Sequence, residues 1–174
     1  INRRYTLGPV LIPAQESLRL ETTVNPPFEL VYWYWGLKTA ENWNKMEGAT
    51  VKTFQFLNKH FGKYPFDTYS IIQGGDGGME YPMCTLIMGE GTYGAVAGTM
   101  AHEVAHSWYQ MVLASNESLY AWLDEGFADF ASSEAGELVF NEITPHAGSY
   151  AGYFGLVASG FQEPISQHAD HYTT

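Results

Sequence analysis

Apolar and polar positions change period along the chain. Residues 18–24 and 28–35 are rich in β-branched and aromatic side chains and predict two strands, parted by Pro26 and Pro27. Over 39–61 the apolar positions Trp43, Met46, Val51, Phe54 and Leu57 recur at helical spacing along one face. Thr39 is the predicted N-cap and Gly62 the predicted stop. Residues 69–73 and 84–88 predict two short strands flanking the Gly-rich stretch 74–78. After Tyr93 the period turns helical, predicting helices over 95–114, 121–139 and 145–159. The last is opened by Thr144 as N-cap and Pro145 in the first turn. Strands first and helices second predict the α+β class. No repeat or low-complexity linker interrupts the pattern. The 174 residues therefore read as one domain: a strand-rich entry over 1–35, a helix and sheet over 36–92, and a helical part over 93–174.

Composition narrows the class. At 45% hydrophobic and 16% aromatic the chain is globular rather than disordered. Cys84 is the single cysteine, which excludes an internal disulfide and a cysteine-based zinc knuckle. The longest apolar run, 30–35, is far too short to cross a bilayer. The chain opens at Ile1 with no signal peptide in view and reads as processed or excised.

The net charge of −11 is unevenly spread. All eight Lys and Arg lie in the first 63 positions, with five acids, a balance of +3; residues 64–174 hold fourteen acids and no Lys or Arg, −14. Such a chain repels nucleic acid and anionic membranes. The acids either form a solvated surface or surround a site for a cation or a metal.

The helical part carries the chemistry that decides. His102-Glu103-Val104-Ala105-His106 is an H-E-x-x-H sequence. Residues four apart on a helix project from nearly one face, so both imidazoles can grip one metal ion, with Glu103 angularly between them. A plain pair of core histidines would instead need partners for four ring nitrogens. Nineteen residues after His106, Glu125 can return from the next helix as third ligand. Two histidines and a glutamate leave one zinc position open, which marks a catalytic rather than a structural site. Asp129, one turn past Glu125, is the expected partner of a ligand histidine's second nitrogen, with His102 the first candidate.

Upstream, Gly77-Gly78-Met79-Glu80-Tyr81-Pro82 is a glycine-led segment with one carboxylate. With the order and spacing of the other two motifs, it resembles the aminopeptidase N and leukotriene-A-hydrolase family of zinc metallopeptidases, from about Tyr64-Pro65-Phe66 to Phe130. The resemblance implies a thermolysin-like catalytic domain, with a small mixed sheet beside a helical lobe and one Zn2+. It implies His102, His106 and Glu125 as metal ligands and Glu103 as general base. It also implies Glu80 as anchor for the free α-ammonium of a peptide substrate, with the strand of Gly77, Gly78 and Met79 lying along that substrate. The implied activity is removal of the N-terminal residue. The alternatives are a thermolysin-like endopeptidase, which would not need Glu80, or a weak or inactive metal-binding fragment.

Three departures from the family pattern stand out. Tyr81 replaces the usual Asn after the motif glutamate. Asp124 replaces the commoner Asn, and Asp129 stands where Ser or Thr is usual. The family's oxyanion-stabilising tyrosine precedes a Lys-Gly pair, and no lysine follows Lys63. That tyrosine is expected past Thr174, in remaining domains of a parent chain; Tyr150, Tyr153 and Tyr172 are substitutes by residue type only. Among other features, 32–35 reads as a packed strand, Gly148, Gly152 and Gly155 as permitting close helix packing, and Cys84 as a small buried residue. His168 and His171 are a weak candidate for a second metal site.

Overall fold

A computed structural model describes residues 16–21, 28–35, 37–75, 77–141 and 144–172. The expected residues 22–24 of the first strand, and Pro26 and Pro27, lie outside the described residues. Within them, strand β1 (Glu16–Glu21) pairs antiparallel with β2 (Glu29–Tyr34). Helix α1 (Leu37–Phe61) then returns the chain so that β3 (Thr68–Gly74) lies parallel to β2. Strand β4 (Gly78–Tyr81) turns through Pro82 and Met83 into β5 (Cys84–Met88), which runs parallel to β3. The sheet order is β1-β2-β3-β5-β4, mixed, with β4 at an edge. The chain is thus α+β, with α1 between β2 and β3 where the helical period over 39–61 predicts it. A parallel pair needs such a crossover.

The predicted face of α1 is the buried one: Trp43, Met46, Phe54 and Leu57 are inaccessible, and Val51 packs partly buried against them. They meet the inward residues of the sheet, Leu30, Tyr32, Tyr69, Ile71 and Ile87. Thr39 falls inside the helix rather than capping it, because the helix opens at Leu37. In β2, Tyr32 and Tyr34 are buried, as a packed strand requires.

Helix α2 (Tyr93–His106) is capped by Thr92, whose side chain accepts from the Ala95 N–H at 3.3 Å. The helix predicted to 114 changes pitch at Ser107: residues Ser107–Val112 form a π-turn, closed by the Leu113 N–H on the Trp108 carbonyl at 3.2 Å. Trp108 sits buried there and donates Nε1–H to the Gly62 carbonyl at 2.8 Å, tying this turn to the end of α1. Helix α3 (Ala121–Phe140) ends on Asn141 in the left-handed conformation.

Helix α4 (Ala147–Ser159) starts later than expected. Thr144 and Pro145 form a turn ahead of it, with the Thr144 carbonyl accepting from the Ala147 N–H, and no side chain caps the helix. None of its residues is buried, and nothing lies within 4 Å of a Cβ built on Gly148, Gly152 or Gly155. Those glycines therefore do not serve the expected close packing among the described residues. Cys84 is half-buried rather than buried. No described helix is long and apolar enough to cross a membrane.

Candidate metal and active site

The H-E-x-x-H residues occupy the last turns of α2, where the helix is pinned between the sheet and α3. Its buried residues, Val96, Ala97, Met100, Ala101, Val104 and Ala105, fix the rotation of the helix about its axis. That rotation leaves His102 partly accessible, buries Glu103 to 6% exposure and buries His106 to 1%. The two Nε2 atoms face each other 3.2 Å apart.

Helix α3 brings the third group. Glu125 Oε2 lies 3.2 Å from His102 Nε2 and 3.7 Å from His106 Nε2. Ligand atoms around a tetrahedral zinc at 2.0–2.1 Å stand about 3.3–3.4 Å from one another. The two 3.2 Å spacings lie close to that edge length and the 3.7 Å one is longer, and two nitrogens with one carboxylate oxygen are a zinc-type donor set. The His102 contact holds Glu125 below the ordinary carboxylate range, against the opposing effect of burial.

Asp124, not Asp129, is the carboxylate on an imidazole. Its Oδ1 accepts from His106 Nδ1 at 2.5 Å in a contact where both side chains are buried. Burial pulls the His106 imidazole down, but the hydrogen bond and charge of Asp124, with Glu80 and Glu125, outweigh it and the net shift is upward. With Nδ1 donating to Asp124, the neutral ring presents the Nε2 lone pair toward His102 and Glu125. Asp129 Oδ2 instead accepts from Ser149 Oγ at 2.9 Å. The expectation that Asp129 orients His102 is corrected by this geometry. Spacing shows that Asp129 shares the face of Glu125, but the packed face of α3 is another one.

A signal for Asp124 was present in the sequence. The buried residues of α3 are Asp124, Ala128, Ala131, Ala135 and Gly136. Three alanines at helical spacing define a stripe, and one turn back along it stands Asp124.

Glu103 is the polar oddity of the interior. Its Oε2 is buried and has no hydrogen-bond partner. Burial, reinforced by Glu80 and Glu125 and opposed by both imidazoles, raises its carboxyl to about 7. An orphaned buried carboxylate oxygen costs free energy unless a ligand completes it. Edge strand β4 crosses directly over this group. A Cβ on Gly78 would collide with Glu103 Oε1 and stand 2.7 Å from Thr99 Cγ2, so a larger residue there would have to displace the Glu103 carboxylate. Two residues on, Glu80 approaches the other end of the site and groups with His106 and Asp124 within 4.8 Å. Burial raises its carboxyl above the usual range. Met79, between them, is exposed.

The remaining candidates fall elsewhere. The Tyr172 hydroxyl donates to the Ile165 carbonyl at 2.9 Å, and the Tyr153 hydroxyl accepts from Gln162 at 3.4 Å. Tyr150 is 63% exposed. The His168 and His171 rings stand 5.5 Å apart, outside any three-residue metal-type group among the described residues.

No family model matches the chain. Its fold is nevertheless shared with solved zinc metallopeptidases. An M1 zinc metallopeptidase from Deinococcus radiodurans is 21% identical, with a TM-score of 0.64 over 87% of this chain and 35% of its own. A mutant M1 zinc metallopeptidase from the same organism, bound to a Tyr-Ser-Ala substrate, is 18% identical with a TM-score of 0.67, covering 92% of this chain and 37% of its own. Aminopeptidase A from Legionella pneumophila, in complex with aspartic acid, is 12% identical with a TM-score of 0.59, over 71% of this chain and 16% of its own. The chain therefore has the α+β fold of one part of these proteins and spans roughly a third or less of their length.

Proposed function

We propose that the chain is the zinc-bearing part of an aminopeptidase with a thermolysin-like catalytic domain. The observation that carries this reading is the convergence of His102 Nε2, His106 Nε2 and Glu125 Oε2 beside the buried, unpartnered Oε2 of Glu103. These three residues would hold one zinc ion. When bound, zinc lowers the pKa of water toward about 7 and polarises a carbonyl.

The chain's own residues supply the rest. Glu103, with one oxygen free and its carboxyl near 7, takes a proton from the attacking water and returns it to the departing amine as the C–N bond breaks. Edge strand β4 offers backbone N–H and C=O groups to an extended peptide, which would add to the sheet as a further strand. Glu80 lies near His106 and Asp124 and would hold the free α-ammonium. That contact positions the first peptide bond over the metal ligands and excludes blocked peptides.

The oxyanion-stabilising group has no assigned residue, and lacking one such donor typically costs about 100- to 1,000-fold in rate. Efficient turnover is therefore expected to require further residues of a longer chain.

The test is zinc content together with hydrolysis of matched free and N-acetylated peptides. Stoichiometric zinc, release of the N-terminal residue from free peptides only, and loss of that release in Glu103→Gln with zinc retained are expected. Equal cleavage of free and blocked peptides would replace the reading with an endopeptidase. Absence of zinc from native protein would leave a non-catalytic descendant.

A further inference from the structure

A cleft of about 970 Å3 opens beside His102 and Glu103, between α2, α3 and α4. Gly98, Ala101, Gly136 and Gly148 line it along with Phe140 and Pro145, and its volume has room for a long side chain. Asp129 stands on this wall with one carboxylate oxygen engaged by Ser149. No Lys or Arg lines the cleft, and none occurs after Lys63, so the Asp129 charge has no basic side chain opposite it there. Glu103 belongs to the same lining and is nine-tenths buried, with an Oε2 that no donor satisfies.

The direction of β4 tells which part of a substrate reaches it. Gly78 adjoins Thr99 and Glu103, whereas Glu80 adjoins His106 and Asp124. The strand therefore runs along α2 with Glu80 at the His106 end and Gly78 at the Thr99 end. A peptide whose N-terminus is held at Glu80 passes Glu103 and continues toward Gly78, antiparallel to β4. Thr99 also lines the cleft. The side chain arriving there belongs to the residue after the scissile bond.

We propose that this cleft receives the second residue of the substrate and that Asp129 makes it selective for a cationic side chain, lysine or arginine. The assignment rests on the aminopeptidase reading, because Glu80 sets the direction of the peptide. Asp129 is a specificity residue here, not a group that touches the reacting atoms. A long basic side chain can lay its methylenes along the cleft walls and bring its charge to the carboxylate.

Tripeptides Ala-Xaa-Ala, with Xaa arginine, lysine, norleucine or glutamate, test this on the zinc-loaded protein. Release of alanine is expected to be about tenfold faster in kcat/KM for arginine and lysine than for norleucine, and slowest for glutamate. In Asp129→Asn the ratio of arginine to norleucine should fall to near one. Calorimetric titration of the Glu103→Gln protein with the same peptides should give the same order of affinity, independent of turnover. A flat order in both measurements, or a preference that persists in Asp129→Asn, overturns the cleft assignment and leaves the peptidase reading standing. An Asp129-dependent preference at the first position, in Xaa-Ala-Ala peptides, overturns it too. If no peptide releases alanine at a measurable rate, the calorimetric order alone decides the cleft.

Discussion

Around Phe54 the interior is built of rings, with Phe28, Tyr64, Tyr69 and Trp108 at centroid distances of 4.6–5.8 Å. The buried faces of α2 and α3 instead carry a row of alanines each: Ala97, Ala101 and Ala105 on one helix, beside Val96, Met100 and Val104, and Ala128, Ala131 and Ala135 on the other. Rings bury much area per residue and hold the sheet against α1. Alanines bury little, but they let two helices approach closely, and interaxial distance follows the side chains at the contact. Close approach is what places Glu125 Oε2 at 3.2 Å from His102 and Asp124 at 2.5 Å from His106. The aromatic region sets stability, and the alanine region sets ligand geometry.

Substitutions that separate stability from geometry test this division. Phe54→Ala removes the ring at the centre of the aromatic region and is expected to cost about 3–5 kcal/mol in denaturant unfolding. The zinc affinity of the molecules that remain folded should change little. A large loss of affinity in the folded fraction would show that the two regions are not separable.

Ala131→Leu is the reverse experiment. Overpacking the contact is expected to cost about 1–3 kcal/mol and to push α3 away from α2, so zinc affinity should fall beyond what unfolding explains. Competition with a chromophoric chelator measures it. Unchanged affinity would mean that the close packing of α2 and α3 does not set the ligand spacing.

Within the site, Asp124→Asn keeps the shape of the side chain but weakens the hold on His106 Nδ1–H. Zinc affinity is expected to drop about 10- to 100-fold. The same substitution at Asp129, which bonds Ser149 rather than a ring, should leave zinc affinity intact. Equal effects at the two positions would contradict the division of roles.

What could be read along the chain follows the same division. Strand β5 falls on the predicted residues, and the predicted face of α1 is the buried one, because periodicity reports which side of an element meets the core. The two histidines share a face because their spacing on one helix dictates it, and Glu125 joins them from α3. The exchange of Asp124 for Asp129 has a different origin. Both acids lie within one turn of Glu125, and the choice depends on how α3 rolls against α2. That roll is recorded only in the stripe of alanines. The predicted caps failed likewise: Thr39 and Thr144 are plausible cap residues, but α1 opens earlier, at Leu37, and α4 later, at Ala147. The π-turn after His106 leaves no local trace, since it is held by the distant bond from Trp108 to Gly62.

The smallest expected effect concerns Glu103 and runs against the others in sign. In the metal-free protein its carboxyl is raised, chiefly by burial, from 4.5 to about 7. Between those values the folded state holds a proton that the unfolded state has released. By linkage, stability therefore falls as pH rises from about 4.5 through about 7, and this group contributes no further change above that. Glu103→Gln keeps a neutral side chain of similar shape and avoids burying the charge. The metal-free variant should then be more stable than the native protein at pH 8, by on the order of 1 kcal/mol, and the difference should vanish below pH 4.5. Urea unfolding of both metal-free proteins across that range measures the gap. A gap independent of pH would trace to packing rather than to charge. A variant less stable at pH 8 would mean that Glu103 Oε2 finds a partner in solution, and the case for an oxygen held in reserve for a ligand would fall with it.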